Sequence, residues 1–118
     1  MKSFLSALFS RSPSIQSVTK TIQSALARRV AASAREKLWV TYYGANDIHP
    51  RHLVYWICVE SDAEKERLAA DTALYAELRE LLTRYNYPAE GRDEVYIGFE
   101  SRETVDRESG GDWWRHWK

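Results

Sequence analysis

The stretch His52 to Glu60 (HLVYWICVE) is apolar on both of its alternating faces, a pattern that fits a central strand covered on both sides. Such a strand needs a neighbour along each edge, and the flanking sequence supplies two. Before it, Leu38 to Tyr43 (LWVTYY) is rich in β-branched and aromatic residues and stops at Gly44. The intervening loop, residues 44–51 (GANDIHPR), is short enough to demand antiparallel pairing. After the central strand, Ser61 and Glu64 form a capping box. A helix is expected over residues 62–85, with Leu68, Tyr75, Leu78, Leu82 and Tyr85 on its buried face. Asn86 and Pro88 end it, and residues 94–100 (EVYIGFE) alternate as a third strand. Strand, helix, strand predicts a parallel pair joined by a right-handed crossover.

Upstream, Ile15, Val18, Ile22, Leu26 and Val30 recur at helical spacing, and alanines and arginines of high helix propensity lie between them. Ser12 and Pro13 read as a helix start, so the spacing predicts a helix over 13–37 behind a loosely ordered N-terminus, residues 1–12. Residues 101–108 read equally as strand or helical turn. Ser109, Gly110 and Gly111 break the chain, and the segment Asp112 to Lys118 (DWWRHWK) holds three of the five tryptophans. The expected fold class is a small single α+β domain, residues 13–118. Its order is helix, strand (38–43), strand (52–60), helix, strand, giving a three-stranded mixed sheet covered by helices and a Trp-rich C-terminal segment.

Charge divides the chain. Lys2, Arg11, Lys20, Arg28, Arg29 and Arg35 are the only charged residues before Glu36, while the remainder carries all 17 acids. The basic segment fits a helix docked on its own acidic body, with Glu64, Glu66, Asp71 and Glu77 as the acids it would face. It also fits an arm, residues 1–35, that makes peripheral contact with a membrane, or one that binds nucleic acid, which is the less expected partner. Phe4 to Phe9 (FLSALF) has the character of an anchor for a surface or a subunit contact. The longest apolar run, Leu53 to Val59, is far short of the ~20 residues a transmembrane span needs. The single cysteine, Cys58, excludes an internal disulfide framework and suits a reducing, cytoplasmic compartment.

Chemistry-bearing residues concentrate in two places. Asp47, His49 and His52 gather in the loop before the central strand, where a histidine can act as a general base, and Glu100 ends the third strand. A hydrolase or nuclease built from these residues requires the loop and the end of strand three to meet in one pocket. No glycine-rich phosphate loop, nucleophile elbow or paired cysteine motif is present, and neither a resident metal nor a cofactor is expected. The second place is aromatic: Trp39, Thr41 and Tyr43, then Val54, Trp56 and Cys58, then Tyr96 and Gly98 would share one sheet face. The first helix or Trp113, Trp114 and Trp117 are expected to cover it. Because Trp113 and Trp114 are adjacent, one of them is a candidate interface anchor. The expected function is therefore non-catalytic protein binding or regulation. The expected surface joins Trp113, Trp114 and Trp117 to Glu103 and Arg107, with another protein or a second copy of the chain as partner.

Overall fold

The computed structural model describes residues 14–44 and 48–117. The expected N-terminal segment 1–12 and Asp47 lie outside the described residues. The first helix, α1, spans Ile15–Ala31, and Ser14 caps it by accepting from the Ser17 N–H at 3.0 Å. Its stripe is core: Thr19, Ile22, Leu26 and Val30 are fully buried, and Ile15 and Val18 pack at the margin. The helix stops six residues short of the expected end because the chain beyond it bonds elsewhere. The Ser33 carbonyl accepts from Arg67, the Arg35 N–H donates to Glu64, and the Glu36 carboxylate accepts from the Glu60 and Ser61 N–H groups.

Three strands follow the expected order in a mixed sheet. β1 (Trp39–Tyr43) pairs antiparallel with β2 (Val54–Val59), placing Trp39 opposite Cys58 and Tyr43 opposite Val54. β3 (Tyr96–Ser101) pairs parallel with β2, placing Val54 opposite Tyr96 and Val59 opposite Ser101. β2 is the central strand, and β1 and β3 are edges. His52 belongs to a 3-10 turn, Pro50–His52, rather than to the strand.

The single helix expected over 62–85 is two: α2 (Asp62–Ala69) and α3 (Thr72–Arg84). Asp71 divides them, its carboxylate accepting from the Leu74 N–H at 3.0 Å. An aspartate that caps a new helix competes with continuation of the old one. The capping box at α2 is also half-formed. Ser61 accepts from the Glu64 N–H, but Glu36 rather than Glu64 accepts from the Ser61 N–H. That frees Glu64 to pair with Arg67 at 2.8 Å.

Beyond α3, a short turn α4 (Ala89–Arg92) packs on the 3-10 turn. The ambiguous segment after β3 is helix α5 (Arg102–Ser109), and the tryptophan segment forms a single turn, α6 (Trp113–His116). α1 packs on one face of the sheet, over Val40, Tyr55 and Ile57, all 9% exposed or less. No described helix is long and apolar enough to cross a membrane. Because α1 buries its stripe in this core, Ile22→Ala is expected to destabilise the protein by about 2–5 kcal/mol. The exposed Arg28→Ala change is expected to cost less than about 0.5 kcal/mol. Urea unfolding of both full-length variants checks this, and equal midpoints would mean that α1 is not part of the cooperative unit.

Candidate functional site

The second face of the sheet carries Trp39, Thr41, Tyr43, Val54, Trp56, Cys58, Tyr96, Gly98 and Glu100, as the register dictates. It is covered by the C-terminal tryptophans and not by α1. Gly110 and Gly111 adopt left-handed φ of 61° and 82°, which turns the chain out of α5 and back over the sheet. Asp112 then caps α6, accepting from the Arg115 N–H at 3.0 Å.

Trp117 lies parallel to Trp56, ring centroids 5.8 Å apart and planes 13° apart, and Tyr43 sits 6.0 Å from it. Trp113 stands edge-on to both Trp117, at 5.3 Å, and Trp39, at 5.5 Å. Trp56 donates its indole N–H to the Tyr43 hydroxyl at 3.2 Å, and Tyr96 packs on its other side at 5.3 Å. Gly98 makes room for this: a Cβ there would fall 2.5 Å from the Tyr96 ring. The Arg102 guanidinium rests 5.1 Å from the Trp39 ring centre while its Nε donates to Glu60 at 2.8 Å. Edge-to-face and offset pairs of this kind add about 0.5–1.5 kcal/mol each beyond area burial.

Trp114, next to Trp113 in the chain, is 74% exposed. Beside it runs a groove of about 260 Å³ lined by Thr41, Tyr42, Tyr43, Trp114 and Trp117. A second groove, about 310 Å³, lies on the other side of Trp117 between Trp39, Thr41, Arg102 and Trp113. Thr41 and Trp117 line both, so the two grooves flank β1. Tyr42 points to the opposite sheet face from Thr41 and Tyr43, so the first groove wraps the open edge of the strand. Among the described residues the Trp117 indole nitrogen is buried without a hydrogen-bond partner.

A polar network anchors the tryptophans from below. His116 Nε2 lies 2.8 Å from Glu100 Oε2, and its Nδ1 lies 2.9 Å from the Ser109 hydroxyl. Glu100 Oε1 also accepts from Lys65 at 3.0 Å and from the Ser101 N–H at 2.9 Å. Burial alone would raise the Glu100 carboxyl pKa, but the bonds from His116, Ser101 and Lys65 outweigh it and hold the group below its usual value. Asp62 is held low as well, chiefly by the Ser101 and Thr104 hydroxyls and then by Arg107. Burial pushes the Cys58 thiol up to about 12, as suits a small apolar filler under the tryptophans.

Hydroxyl, imidazole and carboxylate stand in a row at Ser109, His116 and Glu100, the order used in nucleophilic catalysis. The surroundings are those of a tether. Ser109 is 8% exposed and lines neither groove. The nearby Gly110 and Gly111 N–H groups, which would have to stabilise an oxyanion, already donate to the Asp106 and Val105 carbonyls.

Other expected site residues are dispersed. His49 accepts from the Arg51 N–H at 3.1 Å and meets His52 edge-on at 6.1 Å, before the start of β2. Glu100 stands opposite Cys58, toward the far end of β2 and about 13 Å of strand rise from Val54, where the strand begins, whereas His52 lies in the turn before that start. The loop and the end of β3 therefore do not share a pocket. No group of three metal-ligating side chains occurs among the described residues. Glu103 accepts from the Asp62 N–H at 2.7 Å and Arg107 pairs with Asp62 at 2.9 Å, so both clamp α5 to α2 rather than lining a groove. The charged residue at the groove is Arg102. Of the groove residues, Thr41 and Tyr43 belong to the expected aromatic face, and Tyr42 is one that the sequence pattern does not single out. The signal for Tyr42 is β1's position as an edge, which pairing alone reveals.

The low folded-state value of Glu100 fixes the sign of a pH effect. A carboxyl depressed by folding stabilises fully above its unfolded value, near 4.5, and that contribution disappears as pH falls through the folded value. Glu100→Gln is therefore expected to lower stability at pH 7 by about 1–3 kcal/mol. The gap to the parent should close in urea melts below pH 4.5. A gap independent of pH would mean that the charge is not what anchors α6. Compared with known proteins, the chain matches no family model, no curated protein and no solved structure.

Proposed function

We propose that this chain is a non-catalytic protein-binding module, and that it seats an extended apolar segment of a partner along the open edge of β1. The observation that carries this reading is Trp114, a large side chain 74% exposed beside an apolar groove on an edge strand. Exposed tryptophan is costly to solubility and is enriched among residues that dominate binding energy. An edge strand also offers unpaired backbone groups to an incoming strand.

The available ladder is short. Gln23 Nε2 already donates to the Val40 carbonyl at 2.7 Å. Backbone groups alternate between the two edges of an antiparallel strand, so Val40 and Tyr42 face outward and Tyr42 keeps its N–H and C=O for a ligand. Main-chain contact would thus set orientation, and side chains entering the two grooves would supply affinity and selectivity. A ligand carbonyl could also meet the buried Trp117 indole N–H. The buried free thiol of Cys58 fits a reducing compartment such as the cytoplasm.

Selection of binders from a randomised peptide display library against the full chain tests this. The expected yield is peptides with large apolar residues two apart. Trp114→Ala should weaken them by a factor of about ten or more without moving the thermal midpoint. Absence of enrichment, or binders indifferent to Trp114→Ala, overturns the reading. A concentration-dependent dimer that Trp114→Ala dissolves assigns the same edge to a second copy instead.

A further inference from the structure

We infer that the partner segment carries an aspartate or glutamate beside its apolar residues, and that Arg102 receives this carboxylate at the Trp39 end of β1. This rests on the reading of the two grooves as a segment-binding site and names the chemistry of the segment they select.

Among the described residues lining the two grooves, Arg102 alone is charged. Its guanidinium is held from two directions. The centre of the Trp39 ring lies 5.1 Å from it, and its Nε donates to Glu60 at 2.8 Å. Neither contact uses the two terminal nitrogens, which have no hydrogen-bond partner among the described residues. The side chain is 46% exposed, so those donors stand beside the groove and in reach of a ligand. A planar fork fixed at its Nε edge and against an aromatic ring, with its Nη donors open, is preorganised for end-on pairing with a carboxylate.

The rest of the second groove suits the same ligand. Trp39 and Trp113 offer apolar surface to the methylenes of an acidic side chain, and no carboxylate is in the lining. The Thr41 hydroxyl, which reaches both grooves, has no hydrogen bond among the described residues. A phosphate fits less well. Glu36 accepts from the Glu60 N–H, so Arg102 and Lys37 meet two acids, Glu36 and Glu60, at this corner of the sheet. Phosphate carries about −1.5 to −2 charges and is recognised by clusters of bases. A single carboxylate needs only the open fork.

Spacing sets where the acid falls. β1 rises about 14 Å from Trp39 to Tyr43, and side chains on one face of an extended segment repeat about every 6.8 Å. A segment laid along β1 therefore enters the two grooves with side chains two apart and meets Arg102 with the next on that face. The acid should flank the apolar pair on one constant side, the side that runs toward Trp39.

The test repeats the display selection with two baits, the full chain and its Arg102→Glu variant. The parent should enrich an acid at one fixed position beside the apolar pair, and the variant a lysine or arginine at that same position. A second measurement needs no variant: a synthetic binder and its analogue with glutamine in place of the acid should differ about fivefold in Kd on the parent protein. That difference should shrink as salt is raised to about 0.5 M. Binders that depend on Trp114 but fix no charge, or a glutamine analogue of equal affinity, overturn the acid at Arg102 and leave the grooves standing. Tighter binding of a phosphoserine analogue also overturns it. A charge preference that reverses with Arg102→Glu, in binders indifferent to Trp114→Ala, supports the acid and removes the Trp114 reading instead. No enrichment on either bait overturns both.

Discussion

A carboxylate at 8% exposure must be paired on every side, and the pairing of Glu100 sets the position of everything C-terminal to it. Its two oxygens take Lys65 from α2, the Ser101 N–H from its own strand and His116 from α6. The imidazole is held in turn by Ser109, at the end of α5. Three helices thereby converge on one residue of the third strand. With His116 fixed, Trp113 and Trp117 fall on the sheet on either side of it, and Trp114, which projects elsewhere on the turn, remains largely exposed. The exposed tryptophan follows from the anchor.

The same arrangement explains why β1 is the accessible edge. Its helix-side face packs against α1, its other face contributes to the aromatic lattice, and Gln23 occupies one of its outward carbonyls. What remains is a short strip at Thr41 to Tyr43, apolar on both sides of the strand. A sheet with few strands is stable only when its faces are covered, and here helix and tryptophans cover the faces while the edge remains open.

Periodicity made the core legible. Ile22, Leu26 and Val30, the two-faced apolar run of β2, and the alternation of β3 each record burial directly in the sequence, and the structure places them accordingly. Side-chain competition for backbone groups was less legible. Asp71 reads as one more surface acid in a long helix until its cap to Leu74 is seen, and the chain after Ala31 reads as helix until Glu64 and Arg67 are seen to take its backbone groups. In the sequence, Glu103 and Arg107 belong to a segment of alternating acids and bases that resembles a charged contact surface. Their partner Asp62 lies more than forty residues away and is reached only by folding.

The sequence by itself determined the element order, the central strand and the sharing of one sheet face by its aromatic residues, because each depends on local period and on turn residues at fixed offsets. The tertiary structure decided which helix covers which face, which of two adjacent tryptophans packs in the aromatic lattice against Trp39 and Trp117, and that His52 and Glu100 stand at opposite ends of the sheet. Those outcomes depend on contacts between residues distant along the chain, where a single buried carboxylate and its partners select one packing among several that the pattern permits.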